Sequence, residues 1–312
     1  MADKSDWKIF LGNNTPHDGI EKKLPEPPIW RKFDEKADER RGRNFRVRTE
    51  MIEMVNAALY LRRPLLITGK PGVGKSSLIY AVAHELKLGK VLRWPITSRA
   101  TLRDGLYRYD AVGRLQRSQI ENKPTPIGEH LSLGPLGTAL LPADKPRALL
   151  IDEIDKSDFD LPNDLLDVFE EGLFAIPELE RLDQVEAEIR DYDGNKITVT
   201  KGRVRCRQFP FVVMTSNGER DFPAPFLRRC LRLDIQEPKR EQLEDIIKAH
   251  FDNKLPPGTK ELIDDFLTRV ESRKALATDQ LLNAVFLVAG EELASEEERK
   301  RVIEALLRHL ES

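Results

Sequence analysis

The 312 residues include 51 basic and 53 acidic side chains, a formal charge of −2, so global charge gives no reason to expect a protein held to nucleic acid by phosphate neutralisation. The length allows one large α/β domain and a smaller second one. The two cysteines, Cys206 and Cys230, show no metal-ligand spacing, and there is neither an apolar N-terminal segment nor an apolar run approaching ~18 residues, which together predict a cytoplasmic protein with reduced thiols and no membrane insertion.

Residues 1–44 read as a polar extension punctuated by Pro16, Pro25, Pro27 and Pro28, without a helical or alternating period. Its Trp7, Phe10, Trp30 and Phe33 are unusual for a free tail, because large aromatics gain most when buried. Packing on the protein's own surface is the expectation, with a partner-binding peptide as the other reading. The run Arg40, Arg41, Arg43, Arg46 and Arg48, interrupted by Asp38 and Glu39, suits a solvated or subunit-facing surface as well as nucleic acid.

From 45 to 235, short apolar runs recur: Leu65 to Thr68, Val91 to Trp94, Ala148 to Ile151, Phe211 to Thr215 and Leu231 to Ile235. Continuous runs of this length suit parallel strands covered on both faces. Leu78, Ile79, Val82 and Leu86 recur at helical spacing, so the first strand is expected to pass through a glycine loop into a helix. Two inserts interrupt the pattern. One, near 102–141, carries Gly105, Gly113, Gly128, Gly134 and Gly137; the other, near 178–208, contains a predicted hairpin, with Asp193 and Gly194 between Tyr192 and the alternating Ile197 to Thr200. From 236 to 312 charged amphipathic helices take over, for example Gln242 to Phe251 and Leu262 to Val270. The expected fold is α/β, a parallel sheet between helices, with a smaller all-helical C-terminal lid domain.

Gly69, Lys70, Pro71, Gly72, Val73, Gly74, Lys75 and Ser76 satisfy G-x-x-x-x-G-K-[ST], the P-loop pattern whose glycines let backbone N–H groups wrap phosphates at a helix N-terminus. Lys75 supplies a point charge for the β- and γ-phosphates, the Ser76 hydroxyl can ligate Mg²⁺, and Ser77 completes the candidate nucleotide-binding set. A glycine turn that only reverses the chain is the plainer reading. Downstream, Ala148 to Ile151 lead into Asp152 and Glu153, a Walker B pattern in which Asp152 holds Mg²⁺ through its water shell and Glu153 polarises the attacking water. Two solvated carboxylates opening a helix are the alternative.

The run Phe211 to Met214, followed by Thr215, Ser216 and Asn217 and then by Phe222 to Cys230, is similar to the sensor 1 and arginine-finger region of AAA+ ATPases. That resemblance implies that Asn217 orients water or contacts the γ-phosphate, and that Arg229 or Arg228 reaches the nucleotide of the next subunit. Arg229 is the preferred finger, since it immediately precedes Cys230 at the helix end. Taken alone, these side chains would be a loop-capping Asn and surface arginines.

Within that class the chain looks most like the MoxR-type group, from about Phe45 into the C-terminal helices. Tyr107 to Leu115 with Leu133 to Leu136, the acidic helix containing Asn163, Leu165, Leu166, Phe169, Glu170 and Glu171, and the hairpin before sensor 1 carry the likeness. The resemblance implies ATP and Mg²⁺ as cofactors, a ring-forming homo-oligomer, often hexameric, and a remodelled protein partner, with von Willebrand factor A domain proteins as the partner class. One departure is Asp279, near the position where the family places its sensor 2 arginine; either Lys274 or Arg273 substitutes, or the lid does not read the γ-phosphate. Two other functions stay open, a slow-turnover nucleotide switch in a bacterial signalling or conflict system and a nucleic-acid motor or GTP-using restriction subunit. No side chain fixes the base, for which Val47 and Ile246 are candidate contacts.

Overall fold

A computed structural model describes residues 8–271, 276–289 and 296–307. Trp7, Arg273 and Lys274 therefore lie outside the described residues. Among the described residues eleven strands run in chain order: β1 (Leu65–Thr68), β2 (Leu92–Pro95), β3 (Tyr107–Tyr109), β4 (Leu131–Leu133), β5 (Ala148–Asp152), β6 (Leu173–Ala175), β7 (Glu186–Arg190), β8 (Lys196–Thr200), β9 (Arg203–Arg205), β10 (Phe211–Ser216) and β11 (Leu231–Asp234). Two compact units are distinguished, one spanning 47–69 with 75–235, the other the described parts of 1–46, 70–74 and 236–312.

In the α/β unit, five strands form a parallel sheet in the order β11-β1-β10-β5-β2. Leu65 pairs with Val213 and Leu231, Phe211 with Ala148, and Leu149 with Leu92. Each of the five apolar runs supplies one of these strands. The three central strands lack alternation because both faces are covered: Ala148, Leu149, Leu150 and Ile151, and Val212, Val213 and Met214, are all at 0% exposure, whereas the edge strands β2 and β11 alternate, exposing Arg93 and Arg232. Each fully buried aliphatic side chain contributes about 1.5–3 kcal/mol. Because the strands are parallel, β1, β5 and β10 all end at one edge of the sheet, where the connections to the following helices place the motif residues.

The two inserts, read separately in the sequence, join β6 in one second sheet in the order β3-β4-β7-β8-β9-β6. Ser132 pairs in parallel with Arg190, which joins the glycine-rich insert to the hairpin, while β7 and β8 pair antiparallel from Glu186↔Thr200 to Arg190↔Lys196. The glycines of the first insert mark close backbone approaches: a Cβ on Gly128 would lie 2.0 Å from the Glu188 carbonyl oxygen, and one on Gly137 1.9 Å from that of Leu106.

The other unit is helical. Helices Arg240–His250, Thr259–Glu271 and Thr278–Ala289 bury Leu243, Ile247, Ile263, Leu281 and Ala284 completely. The N-terminal segment is more ordered than its composition suggests, with a helix over Ala37–Asn44. Its charged residues carry no apolar period, and Arg40 donates twice to Asp34, at 2.6 and 2.9 Å. Trp30 packs edge-on against His250, Phe251 and Phe286 and donates to Asn283 Oδ1 at 3.1 Å. Packing within the protein therefore accounts for Trp30, while Phe10 and Phe33 are each 86% exposed. Among the described residues no helix is long and apolar enough to cross a membrane.

Candidate functional site

The glycine loop turns on three left-handed residues, Gly69 (φ 145°), Gly72 (φ 77°) and Gly74 (φ 90°). A side chain on Gly72 would meet Ala277, whose Cβ would lie 2.2 Å from the added atom. Backbone conformation and lack of space therefore both require glycine there, and the loop leads into helix Ser77–Glu85, a helix N-terminus of the kind that suits an anion.

Lys75, only 7% exposed, donates to the Gly69 carbonyl at 2.6 Å and to Asn217 Oδ1 at 2.7 Å. Burial pushes its pKa down, and the charges of Asp155, Glu153 and Asp152 partly restore it. The ammonium is thus poorly hydrated, which strengthens its attraction for a phosphate, while the three carboxylates nearby favour a phosphate that arrives with a cation.

Asp152, at the end of β5, gathers several donors. Ser76 Oγ and Thr215 Oγ1 reach its Oδ1 at 2.7 and 2.8 Å, and Arg93 of β2 reaches Oδ2 through Nη2 at 2.7 Å and Nε at 3.2 Å. Burial alone would raise its pKa, but the hydrogen bonds from Ser76, Arg93 and Thr215 and the charge of Arg93 outweigh it and hold the carboxyl below its usual range. Asp152 is therefore an ionised acceptor at neutral pH.

The next residue, Glu153, is held in the left-handed region at φ 61°, ψ 52°, a conformation costing a non-glycine residue about 1–2 kcal/mol. Its N–H donates to Thr215 Oγ1 at 2.9 Å, so the same hydroxyl secures both acidic residues. The Glu153 carboxylate pairs with Lys156 at 2.7 Å, both side chains being 43% exposed. Asp155 fixes the end of β10: its Oδ2 accepts the N–H of Asn217 at 2.8 Å and that of Glu219 at 3.3 Å, while its buried Oδ1 has no hydrogen-bond partner among the described residues.

The α/β unit thus brings Lys75, Ser76, Asp152, Glu153 and Asn217 together. Lys70 lies in the other unit, paired with Glu237 at 3.0 Å. Arg228 and Arg229 end helix Ala224–Arg229; Arg229 pairs with Glu170, whereas the exposed Arg228 side chain makes no ion pair among the described residues. Asp279 is exposed in the first turn of helix Thr278–Ala289, where an acid favours the helix dipole. Val47 is 40% exposed, and Ile246 packs against the helical core. Four contributors had no role in the sequence reading: Arg93, Thr215, Asp155 and Lys156. Only Arg93 left a signal, a cation inside an otherwise apolar strand.

These groups suit a magnesium nucleotide. The glycine loop supplies N–H groups and Lys75 a cation for phosphate. Ser76 and Asp152 offer a hydroxyl and an ionised carboxylate side by side, the hard oxygen donors Mg²⁺ prefers when substrate phosphates complete its coordination. The described residues contain no group of three or more His, Cys, Asp or Glu that would hold a metal independently.

A parallel sheet carrying a glycine loop after one strand and acidic and polar residues at the ends of two others defines a P-loop nucleotide-binding protein. The family model for the AAA domain (dynein-related subfamily) matches residues 64–230, and the chain belongs to that family. The matched segment runs from just before β1 to Cys230, and so contains the glycine loop, Asp152, Glu153, Asn217 and both arginines. The family is one of AAA+ ATPases, whose members generally hydrolyse nucleotides. No curated protein matches the chain.

Proposed function

We propose that the protein is a Mg²⁺-dependent ATPase of the MoxR-like group, working in the cytoplasm as a ring oligomer, with six subunits expected, and using hydrolysis to remodel or activate a protein partner. The observation that carries this reading is the convergence of Lys75 and Asn217 with Asp152 and Glu153 at the ends of three adjacent strands. Support for the MoxR-like assignment comes from the insert between β2 and β5 and the β7–β8 hairpin before β10. The von Willebrand factor A domain partner rests on the resemblance alone.

In this mechanism Lys75 binds the β- and γ-phosphates, and Asn217, held by Lys75 and Asp155, orients the γ-phosphate or the attacking water. Glu153 accepts the water's proton as general base. Ser76 and Asp152 would hold Mg²⁺, whose charge would offset that of the phosphates. Arg229 or Arg228 of a neighbouring copy stabilises the charge that develops on the transferred phosphoryl group.

The Glu153–Lys156 pair favours a second reading, a slow-turnover switch, because the general base is engaged elsewhere at rest. Glu153→Gln separates the two. Loaded with ATP it is expected to stay bound to nucleotide and retain the protein partner on purification. Wild-type protein with that partner should then hydrolyse ATP steadily, whereas a switch gives one slow turnover per activation. Wild-type hydrolysis by Glu153→Gln would remove the proposed mechanism.

A further inference from the structure

A cavity of about 460 Å³ lies in the α/β unit between the end of β2 and the second sheet, and its wall includes Arg93, Arg99, Asp104, Arg108, Asp191 and Tyr192. Its size is that of an ordinary ligand site, roughly 300–1,000 Å³. Most of the charge in the wall is already engaged. Arg93 holds Asp152. Asp104 accepts from the Thr101 N–H at 3.1 Å and hydroxyl at 2.7 Å. Asp191 accepts from the Asn195 N–H at 2.8 Å and side-chain amide at 3.0 Å. Arg99 and Arg108 are different. Both are exposed, and neither guanidinium makes a hydrogen bond or ion pair among the described residues.

Two uncommitted guanidiniums in the wall of one cavity are recognition groups for an oxyanion, carboxylate or phosphate, with bidentate geometry. One feature favours the carboxylates of a peptide: Pro95 and Ala100 also line the wall, apolar surface that a peptide can cover and a bare phosphate cannot. We infer that this cavity is a docking site for an acidic peptide segment of a protein partner, whose Asp or Glu side chains engage Arg99 and Arg108. The inference rests on the reading of the protein as an ATPase that acts on another protein. It adds where, and through what chemistry, that protein is held. Because Arg93 spans the cavity wall and Asp152, an occupant would sit one side chain from the hydrolytic carboxylates.

The test is fluorescence anisotropy on the full chain, with a labelled peptide of alternating Glu and Ala, its Gln counterpart, and a single-stranded oligodeoxythymidine of equal charge. The Glu peptide should bind the wild type, the Gln peptide should not, and Arg99→Gln/Arg108→Gln should weaken binding by about tenfold or more, as expected on losing two charge-assisted contacts. Arg117→Gln, on an exposed cation paired with Glu121 and Glu129, should bind as the wild type does. The charge reversal Arg99→Glu/Arg108→Glu should select a Lys-Ala peptide instead, giving a gain of binding that a misfolded variant cannot produce. Binding is read without nucleotide, so its failure is separate from any failure of the hydrolysis reading, and basal ATP turnover should be unchanged in Arg99→Gln/Arg108→Gln. Tighter binding of the oligonucleotide, equal binding by wild type and Arg99→Gln/Arg108→Gln, or no binding of the Glu peptide would overturn the proposal.

Discussion

Lys75 Nζ and Asn217 Oδ1 are 2.7 Å apart, a hydrogen bond that ties the helix after the glycine loop to the residue following β10 across 142 positions of sequence. The buried ammonium is therefore preorganised by a neutral partner. Lys75→Ala is expected to weaken nucleotide binding by one to two orders of magnitude, since a charge-assisted hydrogen bond contributes about 1.5–3 kcal/mol. Asn217→Ala should affect turnover more than affinity. Equilibrium titration with a fluorescent nucleotide reads the first, steady-state hydrolysis the second, and undiminished binding by Lys75→Ala would reject the phosphate role.

Glu153→Gln keeps the shape of the side chain and leaves Asp152 and its donors in place, so it should bind nucleotide without turning it over. Lys156→Ala probes the restraint on the base. A half-exposed ion pair contributes about 0–1 kcal/mol, which limits the change in kcat to roughly fivefold. A larger change would mean that Lys156 has a direct part in hydrolysis.

The shared-site mechanism is tested at Arg228 and Arg229. In a helix, consecutive side chains point about 100° apart, so the two are not expected to serve one phosphate alike. Arg229 must leave Glu170 to act in trans, whereas Arg228 has no ion pair to break. Removing the finger should lower turnover by roughly 10³ without affecting binding in the same subunit's pocket. Mixing that variant with Glu153→Gln should restore part of the activity, and wild-type specific activity should rise with protein concentration. Normal turnover by both Arg228→Ala and Arg229→Ala, at a rate independent of concentration, would exclude a trans arginine.

Burial pushes the Cys230 thiol up to about 12, leaving only ~10⁻⁵ of it as the reactive thiolate at neutral pH. Burial raises Cys206 as well, but its side chain is partly exposed. A maleimide reagent should therefore label native protein at Cys206 first, and Cys230 only after denaturant is added. Rapid labelling of Cys230 in native protein, located by peptide mass mapping, would contradict its burial at the end of helix Ala224–Arg229.

His250 lies beside Trp30 with Nδ1 2.8 Å from the Ile246 carbonyl. Burial holds its pKa below the usual 6.5 against the opposing effect of that carbonyl, and the charge of Arg46 lowers it further. The unfolded chain therefore takes up the proton first. The neutral ring's contribution is fully present above about pH 6.5 and is lost as the pH falls from there through the folded value. Thermal melts should show less loss on acidification through this window in His250→Phe than in the wild type, and equal losses would contradict the prediction.

Sequence alone determined the parts of this protein that depend on local chemistry. The central apolar runs, Leu65 to Thr68, Ala148 to Ile151 and Phe211 to Thr215, have no alternation, as strands buried on both faces require, the two edge runs expose Arg93 and Arg232, and each of the five became a strand of the parallel sheet. G-x-x-x-x-G-K-[ST] and Asp152–Glu153 were legible because phosphate binding and acid–base work need particular residue types at fixed spacing. Tertiary structure decided what depends on chain segments far apart. It joined the two inserts through Ser132 and Arg190 and buried Trp30 against a helix more than 200 positions away. It also placed Arg93 and Thr215 on Asp152, because β2 and β10 flank β5 in the sheet. A lone Arg, Thr or Trp has no spacing signature. Its partner is set by strand order and side-chain packing, which arise only when the whole chain has folded.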